Sequence, residues 1–127
     1  MQDNHLFEYA VVRVVPRVER EEFLNAGVIL YCAKLQFLQV KINLDEEKLQ
    51  RLSSEIDLRE VWENLQAFQK ISSGEAGSGP IGKLPIAERF RWLTATRSTV
   101  VQSSKVHPGF CEDPADKLAK LFEQLVL

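Results

Sequence analysis

Arg97-Ser98-Thr99 is the part of the sequence best suited to chemistry. A guanidinium offers a planar fork of donors for carboxylate or phosphate, and adjacent hydroxyls and amides can complete an anion's coordination. Gln102 can add an amide donor. Between Lys83 and Lys105 the cations are Lys83, Arg89, Arg91, Arg97 and Lys105, with Glu88 as the only acid, so this stretch is locally basic. A second polar set, Arg13, Arg17, Glu22 and Asn25, sits on or beside the connection between the first two expected strands, and Gly27 just beyond it permits close backbone approach. We expect the two sets to meet in space and form a shared recognition surface. The structural alternative is that Glu22 pairs with an arginine and Asn25 ties down the loop. Arg97 would then be held by Glu22 or by the acids near Asp113, with Ser98 and Thr99 shaping a turn.

Other reactive constellations are poorly supported. His107 lies in a Pro-Gly segment read as a turn, and it has no identifiable acid or nucleophile partner. Ser98, Ser103 and Ser104 lack a strained nucleophile elbow. Glu21-Glu22 and Asp45-Glu46-Glu47 read as solvated loops and helix starts rather than a hydrolytic pair. Gly77 to Lys83 fits the G-x-x-x-x-G-K spacing of a phosphate loop, yet Leu84 stands where a magnesium-binding Ser or Thr belongs. A helix is expected before this stretch and Pro85 follows it, which is the wrong setting for phosphate-binding amides. Cys32 and Cys111, without histidine at ligand spacing, suggest neither a disulfide framework nor a metal centre. No cofactor is implied.

The elements that must position these residues follow from composition and periodicity. A chain of 127 residues with 45% hydrophobic and 27% charged residues resembles a soluble globular domain, and we expect one domain spanning residues 1–127. The opening residues do not form a secretory signal and no run is long enough for a membrane helix, so a cytoplasmic location is expected. The net charge of −2 disfavours a general electrostatic grip on nucleic acid.

Phe7 to Val15, Ala26 to Cys32 and Gln36 to Ile42 read as neighbouring antiparallel strands, the third alternating Leu38, Val40 and Ile42 against Gln39 and Lys41. Asp45 to Leu52 predicts a short helix, and Asp57-Leu-Arg-Glu60 a capping box opening a longer one with an apolar stripe through Leu58, Val61, Trp62, Leu65, Phe68 and Ile71. Residues 72–85, rich in Ser, Gly and Pro, read as a flexible loop. Phe90 to Thr94 and Thr99 to Ser103 then predict two strands joined through Ala95 to Ser98. Asp113-Pro114 opens the last helix. The fold class is α+β: a mostly antiparallel sheet of about five strands with two or three packed helices, in the order β-β-β-α-β-β-α. Apolar residues on both faces of the early strands leave room for a homodimer if helices cover only one face.

Arg89 to Gln102, His107 to Pro114 and Leu121 to Val126 resemble the bacterial family called domain of unknown function 3037. Tyr9 to Pro16 and Glu22 to Leu30 resemble its opening motif. Thr96 stands where the resemblance leads us to expect proline. The resemblance implies no catalytic residue. It does imply that members are often encoded beside a kinase resembling the HipA type, an association that is compatible with an adapter or regulator role.

Three functions follow from these readings. The favoured one is a small binding or adapter module acting through protein contact. The alternative is a binder of a nucleotide, nucleic acid or other phosphorylated ligand through Arg89, Arg91 and Arg97. The last is a hydrolase or transferase using Glu22, Arg97 and His107, which requires their convergence in one cleft.

Overall fold

The computed structural model of the chain describes residues 4–97 and 99–127. Runs of β-branched and aromatic residues form β1 (His5–Val14), β2 (Leu24–Cys32) and β3 (Phe37–Ile42), paired antiparallel in the order β3-β2-β1. The free edge of β1 carries two short strands in tandem. β4 (Val101–Ser103) lies opposite Val12 to Val14, and β5 (His107–Cys111) lies opposite His5 to Tyr9. Ser104 fills the gap between them. Its N–H donates to Val11 O and its Oγ accepts from Val11 N–H, both at 2.8 Å, so the β1 backbone stays paired where neither strand reaches.

Alternation along the strands gives the sheet two apolar faces. Ala10, Val12 and Val14 join Ile29, Tyr31 and Leu38 on the first, beneath α2 (Leu58–Ser73) and α3 (Ile86–Leu93), with Leu49 of α1 (Glu46–Leu52) in the same cluster. Phe7, Val28, Leu30 and Cys32 face the other way, against Leu118 and Leu121 of α4 (Pro114–Leu125). Helices therefore cover both faces, so the condition under which the sequence left room for a homodimer is not met. Gly27 is required where β2 passes β3: a Cβ there would stand 2.6 Å from Lys41 O.

Aspartates cap three of the four α-helices among the described residues. The Asp45 carboxylate accepts from Lys48 N–H, that of Asp57 from Arg59 and Glu60 N–H, and that of Asp113 from Ala115 N–H, with Pro114 in the first turn of α4. α2 continues through Ser72 and Ser73, so the Ser/Gly/Pro-rich stretch starts inside a helix, and it later forms a 3-10 turn at Ile81–Lys83.

Two local expectations are corrected within an α+β order that broadly holds. Phe90 to Thr94 is not a strand. Ile86, Phe90 and Leu93 have helical spacing, and Phe90 and Leu93 are buried, with the Phe90 ring stacked on Tyr31 at 5.2 Å. Burial of that stripe outweighs the β-propensity of Phe, Trp and Thr. The fifth strand comes instead from His107-Pro-Gly-Phe-Cys111, read above as a turn. Val11 N–H and C=O both face Ser104, and the two-residue period carried back from there directs the backbone of Tyr9, Phe7 and His5 towards β5. Pro108 and Phe110 consequently turn their backbone away from β1, where a missing N–H costs no ladder bond. Gly109 leaves space for the Phe7 ring, which a Cβ would meet at 2.6 Å.

Among the described residues, no helix is long and apolar enough to cross a membrane.

Candidate functional site

The two polar sets meet, though through different residues than their charges suggest. Val15 N–H donates to Val100 O at 2.7 Å, and an open pocket of about 410 Å³ is lined by Pro16, Arg17, Glu55, Asp57 and Thr99 among others. Arg17 reaches Glu55 at 3.7 Å, both well exposed. Farther along β1, Arg13 stands between Asn25 of β2 and Gln102 of β4, its direct cross-strand neighbours on either side. The three side chains share the α4 face.

Most of the remaining candidates are occupied locally. Glu22 accepts from Arg20 Nε at 2.6 Å, so the arginine paired with it is neither Arg13 nor Arg97. Arg89 sends Nη1 to the carbonyls of Ile71 and Ser72 at 3.0 and 3.1 Å, supplying partners at the carbonyl end of α2. Arg89 also borders an open polar pocket of about 660 Å³ that includes Gln39, Gln69 and Ser73. The Arg91 fork donates to both Glu8 oxygens, at 3.2 and 2.8 Å. Arg97 stacks over Trp92 at 4.4 Å and donates to Trp92 O, closing the end of α3; burial lowers its pKa from the ordinary arginine value.

Thr99 Oγ1 donates to Val101 O at 2.7 Å, and Gln102 Nε2 to Thr99 O at 2.9 Å. Ser98 lies outside the described residues. His107 is exposed, with its ring 5.3 Å from that of Tyr9, its cross-strand neighbour. Glu22, Arg97 and His107 make no hydrogen bond, ion pair or ring contact with one another among the described residues.

Arg13 differs from these. Its guanidinium lies over the Phe23 ring at 4.1 Å. Its Nε is buried without a hydrogen-bond partner, as is that of Arg89, but Arg13 has no other side-chain hydrogen bond and no ion pair among the described residues. Beside it, Asn25 Nδ2 donates to Leu125 O of α4 at 3.0 Å, which orients the amide and leaves Oδ1 buried and unpartnered. Asn25 thus ties β2 to the last helix rather than securing its own loop. Phe23 was not singled out in the sequence, although it lies within the Glu22 to Leu30 motif; only the fold places it beneath Arg13.

Cys32 and Cys111 are both buried in the α4-side cluster. Burial pushes the Cys111 thiol pKa up, and the neighbouring Cys32 adds to the rise. Among the described residues no three His, Cys, Asp or Glu side chains gather as a metal site.

No curated protein and no solved structure matches the chain. A family model described as a protein of unknown function, DUF3037, matches residues 9–126, which takes in β1 from Tyr9, the Arg13 row, the Arg97 segment and the whole of α4. With nearly its entire length matched, the chain belongs to the DUF3037 family.

Proposed function

We propose that the chain is a single-domain binding or adapter module that works in the cytoplasm by protein contact, with a HipA-like kinase as its candidate partner. The observation that carries this reading is the cross-strand pair of Leu6 and Phe110, 55% and 68% exposed on adjacent strands. They lie on the face of β1 that carries Ala10 and Val12, outside the apolar cluster that α2 and α3 cover there. Neighbouring large apolar side chains left in water favour a protein contact, and the Arg91 and Glu8 ion pair beside them supplies the polar rim such contacts use.

Pro108 on the outer edge of β5 disfavours addition of a further strand, so the occupant is a folded protein surface that presents apolar side chains to Leu6 and Phe110. Ligand binding through Arg89, Arg91 and Arg97 would compete with the carbonyls and the carboxylate those groups already hold. Catalysis by Glu22, Arg97 and His107 would require side chains with separate local partners to converge.

The test is titration of the purified kinase with wild-type protein and with the double variant Leu6→Ser/Phe110→Ser. Both positions are exposed, so the fold should survive. The variant should bind at least about tenfold more weakly, as expected for loss of one aromatic and one aliphatic anchor. Equal affinity would remove this surface from the reading, and a wild-type protein that does not bind would remove the kinase.

A further inference from the structure

We propose that Arg13, flanked by Asn25 and Gln102 and backed by Phe23, forms an oxyanion-binding site on the α4 face of the sheet. The ligand would be a phosphate or carboxylate carrying a hydrogen-bond donor beside its charge.

The sequence contains eight arginines. Arg17, Arg20, Arg51, Arg59 and Arg91 each meet a carboxylate, while Arg89 and Arg97 donate to backbone carbonyls. Arg13 alone, among the described residues, makes neither an ion pair nor a hydrogen bond. Its position makes this unusual, because it stands on β1, inside the sheet, whereas several of the paired arginines are largely exposed. A guanidinium keeps its charge at any physiological pH, so it cannot relieve partial burial by losing a proton. Stacking on Phe23 fixes the plane of the fork without satisfying its N–H groups.

The flanking amides define the ligand further. Cross-strand neighbours hold their Cβ atoms about 5 Å apart, so Asn25 and Gln102 reach the same volume as Arg13. Both have their amide nitrogens engaged, with Leu125 O and Thr99 O respectively. The oxygens that remain are acceptors, and the one on Asn25 is buried without a donor. A bare anion would satisfy Arg13 and leave Asn25 unpaired. A phosphate with a protonated oxygen, or a carboxylate next to an ammonium, satisfies both. The site lies on the opposite face of β1 from Leu6, so it stands independently of the protein contact proposed above.

The experiment follows the Arg13 Nε–H and Asn25 side-chain amide resonances while the full chain is titrated with inorganic phosphate and, separately, with glycine. Saturable shifts at both groups are expected with at least one probe. Saturation by phosphate identifies a phosphoryl group as the source, and saturation by glycine an amino-carboxylate. Arg13→Gln should abolish the saturable response, and Arg59→Gln, on the exposed side of α2, should leave it unchanged. Should Arg13→Gln fail to fold, Gln102→Glu serves instead: a carboxylate opposite Arg13 would occupy the fork and weaken binding at least about tenfold. No saturable shift at Arg13 with either probe, or unchanged binding in Gln102→Glu, would overturn the proposal.

Discussion

The two faces of the sheet treat their arginines in opposite ways. On the face beneath α2 and α3, Arg89 holds the carbonyls of Ile71 and Ser72, and Arg91 is matched by both oxygens of Glu8. These guanidinium groups complete the helix layer and fasten it to β1. On the α4 face, Asn25 takes the Leu125 carbonyl, and Arg13 beside it is left with an aromatic ring and no side-chain hydrogen bond or ion pair among the described residues. A partly buried cation whose neighbours engage other groups is poorly explained by stability alone, since an unpaired buried donor costs free energy. The contrast separates arginines that hold the fold together from one whose side chain makes no such bond among the described residues.

The largest expected effect tests the layer to which the first group belongs. Phe90→Ala removes a fully buried ring stacked on Tyr31 and should cost about 3–5 kcal/mol in denaturant unfolding. A loss below about 1 kcal/mol would mean that α3 is not held to the sheet by this residue.

The sharpest test compares two substitutions of one type. Arg89→Met strips the α2 carbonyls of a charged donor and should destabilise by about 2 kcal/mol, while Arg13→Met should cost less than about 1 kcal/mol. Equal losses would erase the distinction between the two faces.

A double-mutant cycle with Glu8→Gln and Arg91→Gln should give a smaller coupling, about 0.5–1 kcal/mol, because the pair is bidentate yet partly exposed. A coupling of zero would reduce this pair to a surface contact.

The smallest effect is a pH dependence on the α4 side. Burial raises the Cys111 thiol pKa above its ordinary value of 9.0, so the unfolded chain loses this proton at lower pH than the folded one. The associated stability is complete below the unfolded pKa and disappears as pH rises through the folded pKa. Thermal midpoints of Cys111→Val should therefore fall less steeply than those of the wild type above pH 9.0. Parallel slopes would show that the thiol contributes nothing measurable.

Much of the architecture was legible because its signals are local. Val11, Val12 and Val14 mark a strand, and Asp57 marks a helix start by accepting the orphan N–H groups of its first turn. The failures lie where local preference opposed tertiary burial. Phe90 and Trp92 favour a strand by type, but Ile86, Phe90 and Leu93 are spaced for a helix once Tyr31 and the sheet lie beneath them. His107-Pro-Gly carries turn chemistry, yet the β5 edge tolerates Pro108 and the Phe7 ring occupies the space a side chain at Gly109 would need. The candidate site was legible as an inventory of polar residues. Its arrangement was not, because charge alone suggested Glu22 and Arg97 as partners across the site, while the fold gave Glu22 to Arg20 and Arg97 to Trp92.

By itself, the sequence determined the α+β composition, the three leading strands, the aspartate-capped helices and the inventory of polar side chains. These depend on dihedral preference, periodicity and side-chain chemistry within a few residues. Only the tertiary structure decided that Arg13 stands between Asn25 and Gln102 with no counter-ion among the described residues, and that Leu6 and Phe110 meet in the open. Strand register and the choice of counter-ion are settled between segments many residues apart, where the packing of helices on both sheet faces fixes which groups can reach one another.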